Sequence, residues 1–243
     1  MKKSTLALAV TLGAIAQQAG AAGFIEDSKA TLGLRNFYIN TDNRDGAADP
    51  SRNEEWGQGF DLRFISGYTQ GTVQFGVDAI GLYGVRLDSG RGTSGNITGT
   101  SSGGTVFPSD GNRAVNDFAS LGVTGKVKIS QTELKLGTLQ PKLPVIVTND
   151  GRMLPQTFQG GQITTNDIKD LTLVAGQIEH AKGRNSSNNE GLSLGGANGG
   201  SNYTAGKFVN KFYYAGGDYK LTKDLTAQYY YCLLYTSDAA DEK

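Results

Sequence analysis

The chain is built from extended segments in which apolar and polar side chains alternate, and this period of two constrains its fold more than any other feature. Within Gly59 to Phe64, the apolar Phe60, Leu62 and Phe64 share one face, and Asp61 and Arg63 share the other. Val73, Phe75, Val77 and Ala79 alternate in the same way with Thr72, Gln74, Gly76 and Asp78. Leu121, Val123, Val127 and Ile129 alternate with Thr124, Lys126 and Lys128, and Leu134 and Leu136 alternate with Glu133 and Lys135. Further segments run from Leu171 to Ile178, Phe208 to Tyr219 and Leu225 to Tyr231. Alternating segments of about 10 residues suit a transmembrane β-barrel, with apolar side chains toward lipid and polar ones toward the lumen. A soluble β-sandwich shows the same pattern with its apolar face inward, so periodicity alone leaves both architectures open.

The connections favour the barrel. Tight ones are expected at Ser66-Gly67-Tyr68, Ile129-Ser130-Gln131 and Lys220 to Asp224, and long polar ones at 41–55, 88–116, 141–169 and 182–206. Short turns at one end and long loops at the other are the asymmetry of outer-membrane barrels. The alternation of ends requires one more brief strand near Gly191 to Gly195, preceded by a turn at Arg184 to Asn189, which brings the count to about nine by Tyr231. The loop runs GRGTSGNITGTSSGG and RNSSNNEGLSLGGANGG are expected to be flexible and solvent-exposed.

The first 22 residues read as a secretory signal peptide: Lys2 and Lys3, an apolar run from Leu6 to Ala16, then Ala19-Gly20-Ala21-Ala22 as the cleavage region. No other stretch offers the roughly 18 apolar residues of a membrane helix. The 35 glycines and 5 prolines suit a large all-β protein with long loops, and 37% hydrophobic residues is thin for a dry soluble core. Without Lys2 and Lys3 the basic count falls from 23 to 21 against 23 acids, which gives no pull toward nucleic acid. The single cysteine, Cys232, opens the segment CLLYTSDAADEK, whose character differs from all before it. Residues 232–243 are therefore expected to be a non-native tail on a truncated chain.

The motifs GFIEDS, RNFYIN, EEWGQGF, SGYTQGTVQFGVDAIGLYGVRLDSG, TELKLGTLQPKLPV, NDGRMLPQTFQGGQIT, RNSSNN and FYYAGGDY follow one another in order. Residues 23–231 carrying them resemble the N-terminal half of the OprD family of substrate-specific outer-membrane porins. The resemblance implies an antiparallel transmembrane barrel of about eighteen strands, wide enough for an aqueous lumen, of which this chain would form an open part. It also implies passive passage of small carboxylate-bearing solutes such as amino acids, peptides and organic acids, with outer-membrane lipid as the other partner. Selectivity in the family comes from an inward loop and a ladder of basic side chains on the lumen wall. The inward loop matches 141–169, with Asp150, Arg152 and Leu154 to Phe158 as the constriction.

With Leu32 and Leu34 toward lipid, Arg35 faces the lumen, and the same alternation places Arg63, Lys126, Lys128 and Lys135 there. A guanidinium can take a carboxylate through two parallel charge-assisted hydrogen bonds, whereas an ammonium acts as a point charge. Asp61, Asp78 and Glu133 are expected to form an opposite wall that attracts an ammonium on the same solute. A serine peptidase would need a histidine beside its nucleophile, and the sole histidine, His180, has no G-x-S-x-G turn to serve. No metal-ligand spacing and no phosphate-binding glycine loop appears, so the chain is expected to be neither an enzyme nor dependent on a cofactor. A surface adhesive β-protein is the remaining alternative, but the 88–116 loop offers it only Phe107 as an aromatic anchor.

Overall fold

A computed structural model of the chain describes residues 23–42, 52–88, 105–110, 113–192 and 211–234. The expected signal peptide and the glycine-rich runs at 90–104 and 193–200 lie outside the described residues. Nine wall strands follow one another in chain order: β1 Lys29–Asp42, β2 Arg52–Ile65, β3 Val73–Asp88, β4 Asp117–Ile129, β5 Thr132–Leu139, β6 Thr157–Ile168, β7 Leu171–Lys182, β8 Phe212–Lys220 and β9 Thr226–Leu234. Each pairs antiparallel with the next, and among the described residues the sheet is open, with β1 and β9 at its edges.

The registers carry the alternation from strand to strand. Leu34 lies opposite Phe60, Phe60 opposite Tyr83, Tyr83 opposite Ala119, and Val127 opposite Leu134. Partners in a ladder share a face, so the apolar sets line up into one continuous surface. On that surface Leu34 is 64% exposed, Leu121 77% and Tyr229 76%, and Val73, Val123 and Leu136 are exposed as well. The buried apolar residues sit on the other face. There Leu82, Val106, Phe107, Ala114, Phe118, Met153 and Leu154 form one cluster, with Phe37, Ile39 and Ile80 packed against it. This inner face also carries the charged positions, and no described segment covers the outer one. A sandwich would have buried Leu121 and Leu34, so the sheet is a barrel wall turned apolar side out.

Two expectations about connections need correction. Residues 157–168 are a full wall strand, so the segment between β5 and β6 is 140–156 and not the whole of 141–169. The chain ends alternate because of this strand; near residue 191 there is only a two-residue ladder, Glu190–Gly191, on the edge of β7. TFQGGQITTNDI disguises its extended character because Gly160 and Gly161 interrupt the alternation at a register shift. The tight end is made by Ser130-Gln131 between β4 and β5 and Lys169-Asp170 between β6 and β7, with Ser130 at φ 54° and Asp170 at φ 62°. The last strand runs through Cys232, Leu233 and Leu234, three residues past the expected end of native-like chain, in regular pairing with Tyr214, Tyr213 and Phe212. Residues 235–243 lie outside the described residues.

Gly137 is where β5 parts from β4 while staying paired with β6. It adopts φ 130°, and the β4–β5 ladder ends at its pairing with Thr124. Beyond it Thr138 swings to the inner face, where a Cβ on Gly122 would lie 2.5 Å from the Thr138 Oγ1. A left-handed backbone angle at this point redirects the strand, and glycine adopts it without strain. The following segment carries a short ladder, Lys142–Leu143 with Ile146–Val147, on its way into the lumen.

Candidate functional site

Two segments fold onto the inner face of β1 to β3. One is 149–154, as the sequence suggested; the other is 105–107, from a loop whose glycine-rich run was expected to be solvent-exposed. Phe107 and Val106 are buried beside Met153 and Leu154, and the Phe107 and Phe118 rings meet edge to face at 5.9 Å. Burial of each such side chain contributes about 1.5–3 kcal/mol. Room for them comes from missing side chains in EEWGQGF: a Cβ on Gly57 would lie 2.4 Å from Phe107 and 2.7 Å from Met153 Sδ.

Three expected site residues meet at this seam. The Arg35 Nη1 donates to Asp150 Oδ1 at 2.7 Å and to the Asp150 carbonyl at 3.1 Å, and Nη2 donates to Asp150 Oδ2 at 3.2 Å. Arg35 also donates to the carbonyl of Arg152. Arg152 in turn donates to the Thr105 carbonyl, tying the two inward segments together. Glu55, not foreseen from the sequence, is wholly buried and accepts from the amides of Thr105, at 3.1 Å, and Val106. Arg184 was likewise missed: its Nη1 lies 3.5 Å from the position a Cβ on Gly151 would take. Burial and then the nearby Arg152 charge pull the Arg184 guanidinium below the usual arginine range.

Arg63 does not join this group directly. It holds Asp61, two residues away on the same strand face, through Nε to Oδ1 at 2.9 Å and Nη2 to Oδ2 at 2.7 Å. Nearer the tight-turn end, Lys126, Lys128 and Lys135 form a second group. Lys126 is 4% exposed, ion-paired with Asp78 at 2.6 Å, and donates to the Ser66 carbonyl at 3.0 Å. Lys135 pairs with Glu133 at 3.0 Å. Lys128 has no carboxylate partner among the described residues; its ammonium lies 5.7 Å from the centre of the Tyr68 ring, with that of Lys126 at 4.8 Å. The expectation that Asp61, Asp78 and Glu133 build an opposite wall is therefore corrected. They stand beside the cations on the same wall, because residues two apart on a strand, or opposite in register, share a face.

Tyr68 belongs to the turn after β2, and its hydroxyl donates to the Glu133 carboxylate. Burial first, then this hydrogen bond, raises the phenol above the usual tyrosine value. A raised folded value means its stabilising effect is complete below the unfolded value near 10 and is lost as pH climbs through the folded one. In alkaline titration followed at 295 nm, Tyr68 is expected to be among the tyrosines that ionise late, and Tyr68→Phe should lower the amplitude of the late phase by one tyrosine; a late phase unchanged by the substitution would dismiss the assignment. His180 sits in the β7 ladder opposite Gln159.

Between these groups the inner wall encloses a cavity of about 200 Å³ lined by Arg63, Asp78, Thr124, Lys135, Gln140 and Gln162. Its walls offer both signs of charge together with amides and hydroxyls, a surface that can replace part of the hydration shell of a small polar solute.

The comparisons with known proteins agree with this architecture. Residues 22–236 match the model of a family described as outer membrane porin, OprD family. The chain is 41% identical to the porin-like protein GalP of Pseudomonas putida over 224 residues, covering 91% of this chain and 50% of the relative. Among solved structures, OprE of Pseudomonas aeruginosa shares 61% identity with a TM-score of 0.73, over 87% of this chain and 47% of the other. OpdK of Pseudomonas aeruginosa, solved with vanillate, shares 36% identity with a TM-score of 0.73, over 87% and 50%. The chain thus spans about half the length of the curated relatives it matches. This chain belongs to the OprD family of outer-membrane porins.

Proposed function

We propose that the complete barrel to which this chain contributes is a passive channel for small water-soluble solutes bearing a carboxylate, such as amino acids, peptides and organic acids. The observation that carries the reading is the half-open ion pair at the seam: Arg35 and Asp150 face each other with 43% and 52% of their side chains exposed. Exposed pairs of this kind are worth only about 0–1 kcal/mol. A solute carboxylate can therefore replace Asp150 or Asp61 on a guanidinium at little net cost, form the same two hydrogen bonds, and leave as readily. Transport requires this balance, since a site that held the solute tightly would stop the flow. The inner wall repeats the arrangement at Arg63–Asp61 and Lys135–Glu133, giving successive exchange points. Vanillate, the ligand solved with OpdK, is a carboxylate and fits the same chemistry. The exposed apolar face is the surface that meets outer-membrane lipid.

The test is a planar bilayer holding the complete porin in potassium chloride. Benzoate at millimolar concentration is expected to reduce the current in brief steps, and benzamide, of the same size without the charge, is not. Equal effects from the two solutes would refute carboxylate recognition.

A further inference from the structure

Outside the two groups already described, one basic side chain is buried with no partner. Lys182, the last residue of β7, is 5% exposed and makes no hydrogen bond or ion pair among the described residues. The side chain as a whole is buried, yet its ammonium has no protein partner and must stay solvated or meet an anion, because an ammonium without compensation is costly. Lys182 lines a separate cavity of about 110 Å³ between the wall and the segment that follows it. Thr157, 2% exposed, and Thr138, 9% exposed, also line it, while the exposed Ser187 and Asn189 stand at its mouth.

The chemistry of the lining is one-sided. Gln159 Nε2 donates to the Thr138 hydroxyl at 2.7 Å, which leaves the Thr138 hydroxyl proton free to donate in turn. Thr157, Ser187 and Asn189 have no side-chain hydrogen bond among the described residues and can donate as well. No carboxylate lines the cavity. One ammonium, several hydroxyls and an amide without a competing acid make a surface for an anion. At about 30 Å³ per liquid water, the space holds roughly three waters or one carboxylate group with a water beside it.

We propose that Lys182 is the base of an anion subsite, separate from the exchange points on the open wall, that takes the carboxylate of a small solute. The proposal rests on the channel reading and differs from it in one respect. On the open wall Arg35, Arg63, Lys126 and Lys135 each already hold a protein acid, and a solute must displace it; at Lys182 there is none to displace. A carboxylate entering past Ser187 and Asn189 would stay longer here than at Arg35 or Arg63.

Two measurements on the complete porin test this. Crystals soaked in sodium bromide are expected to show an anomalous peak within hydrogen-bond distance of the Lys182 Nζ. In single-channel records, Lys182→Met is expected to shorten benzoate-induced closures about tenfold, the loss of one good charge-assisted contact. No bromide at Nζ together with closures of unaltered length would overturn the proposal and leave a water-filled cavity. Bromide bound with unaltered closures would overturn the carboxylate assignment. A porin that never conducts would sink the channel reading instead, and the bromide soak of the unaltered protein would still decide whether the subsite exists.

Discussion

Arg35→Glu is expected to abolish the anion preference proposed for the complete channel while leaving the inward segment in place. The magnitudes separate these two effects. The exposed Arg35–Asp150 pair contributes about 0–1 kcal/mol, and the hydrogen bonds from Arg35 to the carbonyls of Asp150 and Arg152 add about 1.5–3 kcal/mol each as charged-donor bonds. Against that loss, Phe107, Val106, Met153 and Leu154 remain buried on the far side of the same seam, and burying such side chains is worth about 1.5–3 kcal/mol apiece. The apolar total exceeds the polar one, so the segment stays docked and only the residues around Asp150 shift. The electrostatic change is large: two charge units alter within about 5 Å of a passing ion, roughly 1.7 kcal/mol even at the dielectric of water, or more than tenfold in relative permeability. Reversal potentials in a potassium chloride gradient would measure the selectivity, and unitary conductance would report the docking. A conductance rising severalfold in the variant would show that charge, and not packing, holds the segment.

The second large effect is expected from Gly137→Ala. An alanine Cβ there would lie 2.2 Å from the Val123 carbonyl oxygen, a backbone atom that cannot step aside. The φ of 130° is also closed to an L side chain. Strain at such a backbone angle costs about 1–3 kcal/mol and overpacking a similar amount, so a loss of about 4 kcal/mol is expected for the folded wall. Gly125→Ala is the control on the adjacent strand, because its Cβ would meet nothing nearer than 3.9 Å. Urea unfolding of the two variants in detergent micelles should separate them by several kcal/mol. Equal midpoints would mean that the parting of β5 from β4 at Gly137 is not fixed by this residue.

The sequence showed which face each strand residue takes more readily than what that residue touches. Period two assigned Arg35, Arg63, Lys126, Lys128 and Lys135 to one face, and they lie there because a strand has only two sides. The pairs Asp61–Arg63 and Glu133–Lys135 were open to the same reading, since residues two apart stand side by side. The Lys126–Asp78 pair needed the β3–β4 register, which the alternation of one strand does not contain. The strand at 157–168 was hidden by two glycines at a register shift, and Glu55 owes its burial to a segment that folds back from a distant part of the chain. Long-range closure of this sort leaves no mark in local composition. The seam at Asp150 and Arg152 was legible only through family resemblance; from the residues alone, NDGRM is an ordinary turn.

The greasy exterior has a consequence for the protein's life before it reaches the bilayer. A newly exported chain crosses an aqueous compartment while carrying Leu34, Leu121, Tyr229 and their neighbours, side chains that never find an internal shelter even in the finished fold. Most proteins solve this problem by collapsing around such groups, but collapse here would bury the wrong face. Folding of this sheet is therefore tied to the membrane, which acts as the missing half of the core.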